Sequence, residues 1–551
     1  MTYEKGIPDY AMVPAKETEE RVIIPASKEA VYSSVQVTNM TEKPKTVITI
    51  EEDILVPDTK PDLREILLID GKNHPTNKEV SQLNKNEDYV SVSGEIELQT
   101  LYLPEKQENC GPIISVQARV PFKEQWHTGI SQGAALLLDT KIEKIEYMVI
   151  NERKYRVKIS LAVYAREYTD RRVELFEGIN GEEIQMQREK VEITNIALRK
   201  SDTLNLQEDL QLQEECPIDS ILRQDIRVVE NYKQVTGEKV VINGFVLIDL
   251  LYSCREEAEA CENLHQAQEK VEFTQFIPIQ TDGDCAGSNV SFDGSNLKVK
   301  MIQGEDGKEV LRLEGDLLTC VEIYCNIEKE IIVDAYHREK DFLCDFKEEQ
   351  CRTLVGTTMG ESSLREIFSP ETQGSELQQI LYTSGEIHDG ESRCEQGKVV
   401  TEGSVLAKVI CRCAETGENG SPRIFSLTEE IPFRVVTALP QLTGDEMIRD
   451  QIYLKDLWAE KINGKQIEFN AGVLVTTEVM RRAPFKVLVN PAFEESSGGQ
   501  RRAPMVIYVA KQNDQLWDIA KKYKTTVETI AQLNELEDDT LHQGEKLLIL
   551  K

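Results

Sequence analysis

Residues 90–102 read Val90-Ser91-Val92-Ser93-Gly94-Glu95-Ile96-Glu97-Leu98-Gln99-Thr100-Leu101-Tyr102. Val90, Val92, Ile96 and Leu98 alternate with Ser91, Ser93, Glu95 and Glu97, the period-two pattern of a strand with one buried face. Gly94 falls on the apolar side. A strand glycine there marks a bulge or the close approach of another backbone. Two more stretches repeat this reading at the same register, Val240 to Tyr252 around Gly244 and Val399 to Cys411 around Gly403. A periodic all-β chain is therefore expected.

Working outward, each glycine strand is preceded by a short apolar signature. These are Leu63-Arg64-Glu65-Ile66-Leu67, Ile218-Asp219-Ser220-Ile221-Leu222 and Leu377-Gln378-Gln379-Ile380-Leu381. Apolar residues at i, i+3 and i+4 predict one short helix in each. The last leucine lies 27, 22 and 22 residues before the glycine. A further strand start follows at Val120-Pro121-Phe122, Val271-Glu272-Phe273 and Ile431-Pro432-Phe433, and long strands close each unit around Lys158–Ala165, Leu311–Tyr324 and Ile467–Val479. Strands this long need both faces covered, so sandwich-like packing is expected. The boundaries read as an N-terminal extension 1–44, repeats at 45–180, 195–336 and 340–483, a linker 484–505 and a terminal module 506–551.

The terminal module opens with a strand, Val506-Ile507-Tyr508-Val509. Leu516, Ile519, Ala520 and Tyr523 then form one helical face. Asp514 is placed to cap that helix, and Thr525-Thr526-Val527-Glu528 offers a capping box for a second. Gly544 precedes a closing strand from Leu547 to Leu550. The polar run Glu494-Glu495-Ser496-Ser497-Gly498-Gly499-Gln500 reads as a tether with about 20–25 Å of reach, which would let the module move independently of the repeats.

With 97 acidic and 64 basic residues among 551, the net charge is −33. Such a surface repels nucleic acid and anionic lipid. Met1 to Pro14 lacks the apolar core of a secretory signal, and no stretch approaches a membrane-spanning length; Gly244 to Tyr252 is broken by Asp249. A cytosolic chain is expected, with its twelve cysteines as thiols. No catalytic serine, zinc or phosphate-loop motif occurs. His127, His337 and His388 read as surface or turn residues. The expectation is a non-enzymatic protein without catalytic residues, metal or cofactor.

The order β-α-α-β, with Leu516-Trp517-Asp518-Ile519-Ala520 and Leu533-Asn534, resembles the LysM module. The three repeats resemble SPOCS repeats, most closely through Asp53-Ile54-Leu55-Val56-Pro57-Asp58-Thr59-Lys60-Pro61-Asp62-Leu63 and the Gly94 strand. Together they resemble the SPOCS-plus-LysM spore-coat morphogenetic proteins of the SipL type. The fold class is then mainly β, three sandwich-like SPOCS repeats followed by a small β-α-α-β LysM. The resemblance implies a coat-assembly scaffold in the mother-cell cytoplasm at the forespore surface. Its implied partners are the ATPase stage IV sporulation protein A and other coat proteins, the alternative being peptidoglycan of the cortex or wall. LysM ligands sit between the first strand–helix loop and the loop before the last strand. That points to Asn513, Asp514, Gln515 and Leu516 in the first, and Leu536, Asp538 and Leu541 in the second. Asn513 can take the left-handed turn usually given to glycine, while Gln515 replaces a smaller threonine. Trp517, on the border of the buried face, is the candidate interface anchor.

Overall fold

A computed structural model describes residues 23–26, 29–76, 79–80, 89–105, 111–127, 129–131, 134–210, 218–255, 264–280, 285–303, 309–370, 376–416, 422–494, 505–536, 538 and 540–550. Each repeat is a sandwich of six strands with one topology. The second, third and fourth strands form one sheet; the first, sixth and fifth form the other. In the first repeat the strands are Thr46–Leu55, Leu63–Pro75, Tyr89–Pro104, Ile114–His127, Ala135–Asn151 and Lys154–Ile179. The second runs from Ile184–Asp209 to Glu309–His337, with its fifth strand divided into Cys285–Asp293 and Lys298–Gln303. The third runs from Arg352–Phe368 to Gln466–Arg482. The apolar alternation fills the three interiors: Val90, Val92, Ile96 and Leu98 are all fully buried against Val157, Ile159 and Leu161.

The glycine of each third strand has a shared physical reason. Gly94, Gly244 and Gly403 pair with Phe122, Phe273 and Phe433. A Cβ on these glycines would stand 2.8, 2.6 and 2.8 Å from the ring, and within 2.5–2.8 Å of backbone on the other side. The phenylalanine lies over the space a side chain would need, so the close approach predicted from the sequence is present. Val120, Val271 and Ile431 are interior to strands that begin earlier, at Ile114, Leu264 and Pro422.

The three expected short helices are strands. Leu63–Pro75, Ile218–Val235 and Leu377–Glu395 each carry two β-bulges near their start, three residues apart. The extra residue of the second bulge is Leu67, Leu222 or Leu381. A bulge shifts the inward-facing set by one residue, so two in succession reproduce the i, i+3, i+4 pattern of a helix in an extended chain.

The displaced leucines point away from their own sandwiches and toward one another. Leu67, Leu222 and Leu381 join Leu101, Leu251 and Ile410, and Ile113, Leu264 and Ile424, in one buried cluster. The first trio shares its place in the second bulge, and the other two occupy equivalent positions relative to the glycine or its phenylalanine partner. The three second-strand sheets thus face a common pseudo-threefold axis.

A fourth β unit was not expected. The 26-residue strand Lys154–Ile179 and the 29-residue strand Glu309–His337 outrun their sandwiches. Their far ends pair with Ala30–Glu42 and with the start of Ile184–Asp209. A separate sheet is formed by Ile23–Pro25, Phe485–Glu494 and Asp341–Glu349. Val35, Val173, Ile193, Ile331 and Val487 form part of its core. Two boundaries change accordingly. Part of the N-terminal extension is structural, and the first half of the predicted linker is a paired strand; residues 495–504 lie outside the described residues.

Candidate functional site

The terminal module pairs Met505–Val509 with Lys546–Leu550 and holds helix α1, Leu516–Tyr523, and helix α2, Val527–Leu533. Leu516, Ile519, Ala520, Ile530, Leu547 and Ile549 are its core. Capping differs from expectation at both helices. Gln515 is the N-cap of α1 and makes no side-chain cap, because the Asp514 carboxylate accepts instead from the Tyr508 hydroxyl at 2.7 Å and the Lys511 amide at 2.8 Å. Those two donors hold the Asp514 pKa below the ordinary carboxylate value, the Lys511 amide contributing most. In α2 the cap is Thr526, one residue later than predicted; its hydroxyl accepts from the Thr529 amide. Asn534 ties α2 to the closing strand, its amide donating to the Ile530 and Leu548 carbonyls at 2.8 Å and accepting from the Leu548 amide.

The two candidate loops are brought side by side. Ala510 donates to the Glu545 carbonyl and Gly544 donates back to Ala510, both at 2.8 Å. Asn513 adopts the left-handed turn, with φ of 67°. Asn513, Gln515 and Asp538 are exposed, Asp514, Leu536 and Leu541 half-buried. Asp538 is held below its usual pKa chiefly by the Thr540 amide. Leu516 is only 2% exposed and belongs to the core. It supports the groove from beneath and presents nothing to a partner. Glu537 and Asp539 lie outside the described residues.

Trp517 is half-buried, as its border position implied, but its partner is in the same chain. Its indole N–H donates to Asp334 at 2.8 Å, and its ring meets Tyr336 edge-on at 5.0 Å. The Tyr336 hydroxyl donates to the Thr525 carbonyl at 2.6 Å. Burial, reinforced by nearby Glu528, pushes the Tyr336 pKa up to about 12. Lys521 pairs with the Asp334 carboxylate at 2.6 Å, and Lys524 with Asp341. The module is docked on the fourth β unit through one end of the second repeat's last strand. The picture of a module roaming on its tether is corrected by this contact. No pattern in either segment marked Asp334 or Tyr336 in advance.

Two other expectations change. His337 is buried, not a surface residue: its Nδ1 accepts from the Glu339 and Lys340 amides at 3.0 and 2.9 Å, and its Nε2 lies 3.1 Å from Glu182. Its role is to cap that turn. His388 is half-buried, and the side chain of His127 is outside the described residues. Cys254 is disulfide-bonded, whereas Cys411 is a buried thiol whose pKa is pushed up to about 12 by burial. Among the described residues no group of three His, Cys, Asp or Glu could hold a metal, and no helix is long and apolar enough to cross a membrane.

Comparison with protein families matches this architecture. The model described as SipL, SPOCS domain matches residues 62–150 and 217–302, and the LysM domain model matches 508–550. The chain thus carries a SipL-type SPOCS domain and a C-terminal LysM domain. The third repeat lies outside both matches; its kinship rests on the shared six-strand topology, the paired bulges and the Gly403–Phe433 contact. No curated protein and no solved structure matches the chain.

Proposed function

We propose that this protein is a non-enzymatic scaffold of spore-coat assembly, acting in the mother-cell cytoplasm at the forespore surface. Its LysM docks onto stage IV sporulation protein A, and the SPOCS repeats offer surfaces to that ATPase or to other coat proteins. The observation that carries this reading is the joining of SPOCS repeats to a LysM in one chain. The loop pair of exposed Asn513, Gln515 and Asp538 with half-buried Leu541 supplies the docking face, because Trp517 and Lys521 are already engaged with Asp334.

One observation favours a second reading. Asn513 keeps the left-handed turn of the first loop, so backbone amides there can still meet the N-acetyl groups of peptidoglycan. The full-length chain, offered purified stage IV sporulation protein A and purified peptidoglycan in parallel, separates the two. Binding to the ATPase is expected, weakened at least tenfold by Gln515→Lys with Asp538→Lys and unchanged by Asp334→Ala. Retention on peptidoglycan alone would overturn the scaffold reading.

A further inference from the structure

Below the apolar trios, the pseudo-threefold axis becomes polar and opens into a cavity of about 990 Å³ bounded by all three repeats. Its lining carries nine Lys and Arg side chains against seven Asp and Glu. In a chain with 64 basic and 97 acidic residues, that is a local reversal of sign.

Two acids of the lining, Asp70 and Asp225, are already engaged. Arg223, 2% exposed, binds Asp225 at 2.9 Å and also pairs with Asp70. Asp70 further accepts from Lys408 at 2.5 Å, and Asp225 from the Tyr382 hydroxyl at 2.5 Å. What remains over is a set of donors. Arg223 Nη1, Arg227 Nε and the Ser384 hydroxyl are buried donor atoms without a hydrogen-bond partner, and all three residues line this one cavity; His74 Nε2, also in the lining, faces Glu97 at 3.5 Å. Arg223 and Ser384 are each more than nine-tenths buried. Lys72 lines the same cavity, exposed to the solvent within it, and makes no ion pair among the described residues. The donors come from equivalent strands of the three repeats. Lys72 and Arg227 hold matching positions, and Ser384 stands where the other repeats have Asp70 and Asp225.

A buried donor left unpaired costs roughly 1–3 kcal/mol, and such atoms in a native protein call for an explanation. Several converging on one positively biased cavity share an explanation: an acceptor-rich anion. We propose that the axial cavity is a binding site for a small oxyanion-bearing ligand, a phosphate or carboxylate compound, held by Lys72, Arg223, Arg227 and Ser384. Since the site needs all three repeats, its ligand would lock them together and bias the scaffold toward its closed arrangement. This site is separate from the LysM loops, so its test is independent of the docking partner.

The test is calorimetric titration of the full-length chain with sodium phosphate and, separately, sodium citrate, each against chloride at matched ionic strength. Saturable binding of one anion per chain is expected, and the arm that binds identifies the oxyanion class. Lys72→Gln and Ser384→Ala should each weaken binding at least tenfold. Neither residue has a partner to lose, so both variants keep the fold, checked by their unfolding midpoints. Lys190→Gln, at an exposed pair with Glu328, should bind as the parent does. No saturable heat with either anion, or undiminished binding by both Lys72→Gln and Ser384→Ala, overturns the site.

Discussion

Two interfaces hold this chain together, and they are built from different chemistry. The axial core between the repeats is apolar: twelve buried residues, nine of them in three equivalent trios, with Leu101 and Leu251 fully excluded from solvent. The LysM dock is narrow and mixed. It consists of one aromatic contact, one tyrosine hydroxyl on a carbonyl, and lysines reaching partly exposed carboxylates. Burying a leucine contributes roughly 1.5–3 kcal/mol, without direction and nearly independent of salt. An exposed ion pair contributes about 1 kcal/mol or less and is screened. The first interface therefore defines the body, while the second can open without unfolding it.

The largest effect should come from breaking the axial core. Leu251→Ala removes a fully buried side chain from one trio, which costs about 2–5 kcal/mol depending on how far the site collapses. The measurement is the denaturant midpoint of the main transition, which should fall, with the LysM helices still forming. If Leu251→Ala leaves the midpoint unchanged, the trios do not hold the repeats together.

The contrast also explains what could be read in advance. The sandwiches were legible because apolar alternation and a recurring glycine sit within single strands such as Val90 to Tyr102. The axial core was not, because its leucines sit on bulges, where period two locally reads as 3.6. The fourth unit escaped for another reason. Some of its strands are continuations of sandwich strands, rich in charge, as in Arg171-Arg172 and Glu189-Lys190, with partners up to about 150 residues away in the chain, and Ile23–Pro25 pairs as far off as Ala492–Glu494. In the LysM, helix faces and the Asn513 turn were readable from local spacing. The end of Trp517's search for a partner was not, since Asp334 is 183 residues distant.

A second way to sharpen the comparison uses acid. At the polar end of the axis, burial alone would raise the Asp225 pKa, but Arg223 and its other donors outweigh it and lower the value from 3.8 to about 2. A depressed carboxylate contributes stability that is present above its unfolded pKa and lost as pH falls through the folded one. The loss due to Asp225 should thus fall between about pH 4 and pH 2. Asp249, raised by burial, acts in the opposite sense, so the informative quantity is a difference. The unfolding midpoint of Asp225→Asn should lie below the parent's at pH 7, and the gap should narrow through that window. A gap constant with pH would show that Asp225 acts by hydrogen bonding alone.

The smallest effect is expected at the dock. Asp334→Ala removes the acceptor of the Trp517 indole and the partner of Lys521 together, yet touches neither the LysM core nor an axial trio. The cost should be about 1.5–3 kcal/mol, the range of hydrogen bonds to a charged group, and it should appear only in the docking equilibrium. Trp517 reports it directly. Subtracting the emission of Trp517→Phe from that of the parent isolates this indole among the three tryptophans. Loss of Asp334 should shift the isolated emission to the red, and rising salt should do the same to the parent by screening the lysine–aspartate pairs. The main unfolding midpoint should not move in either case. If Asp334→Ala lowers that midpoint as far as Leu251→Ala does, the dock is part of the body's stability, and the distinction between a permanent axial core and a separable LysM contact fails.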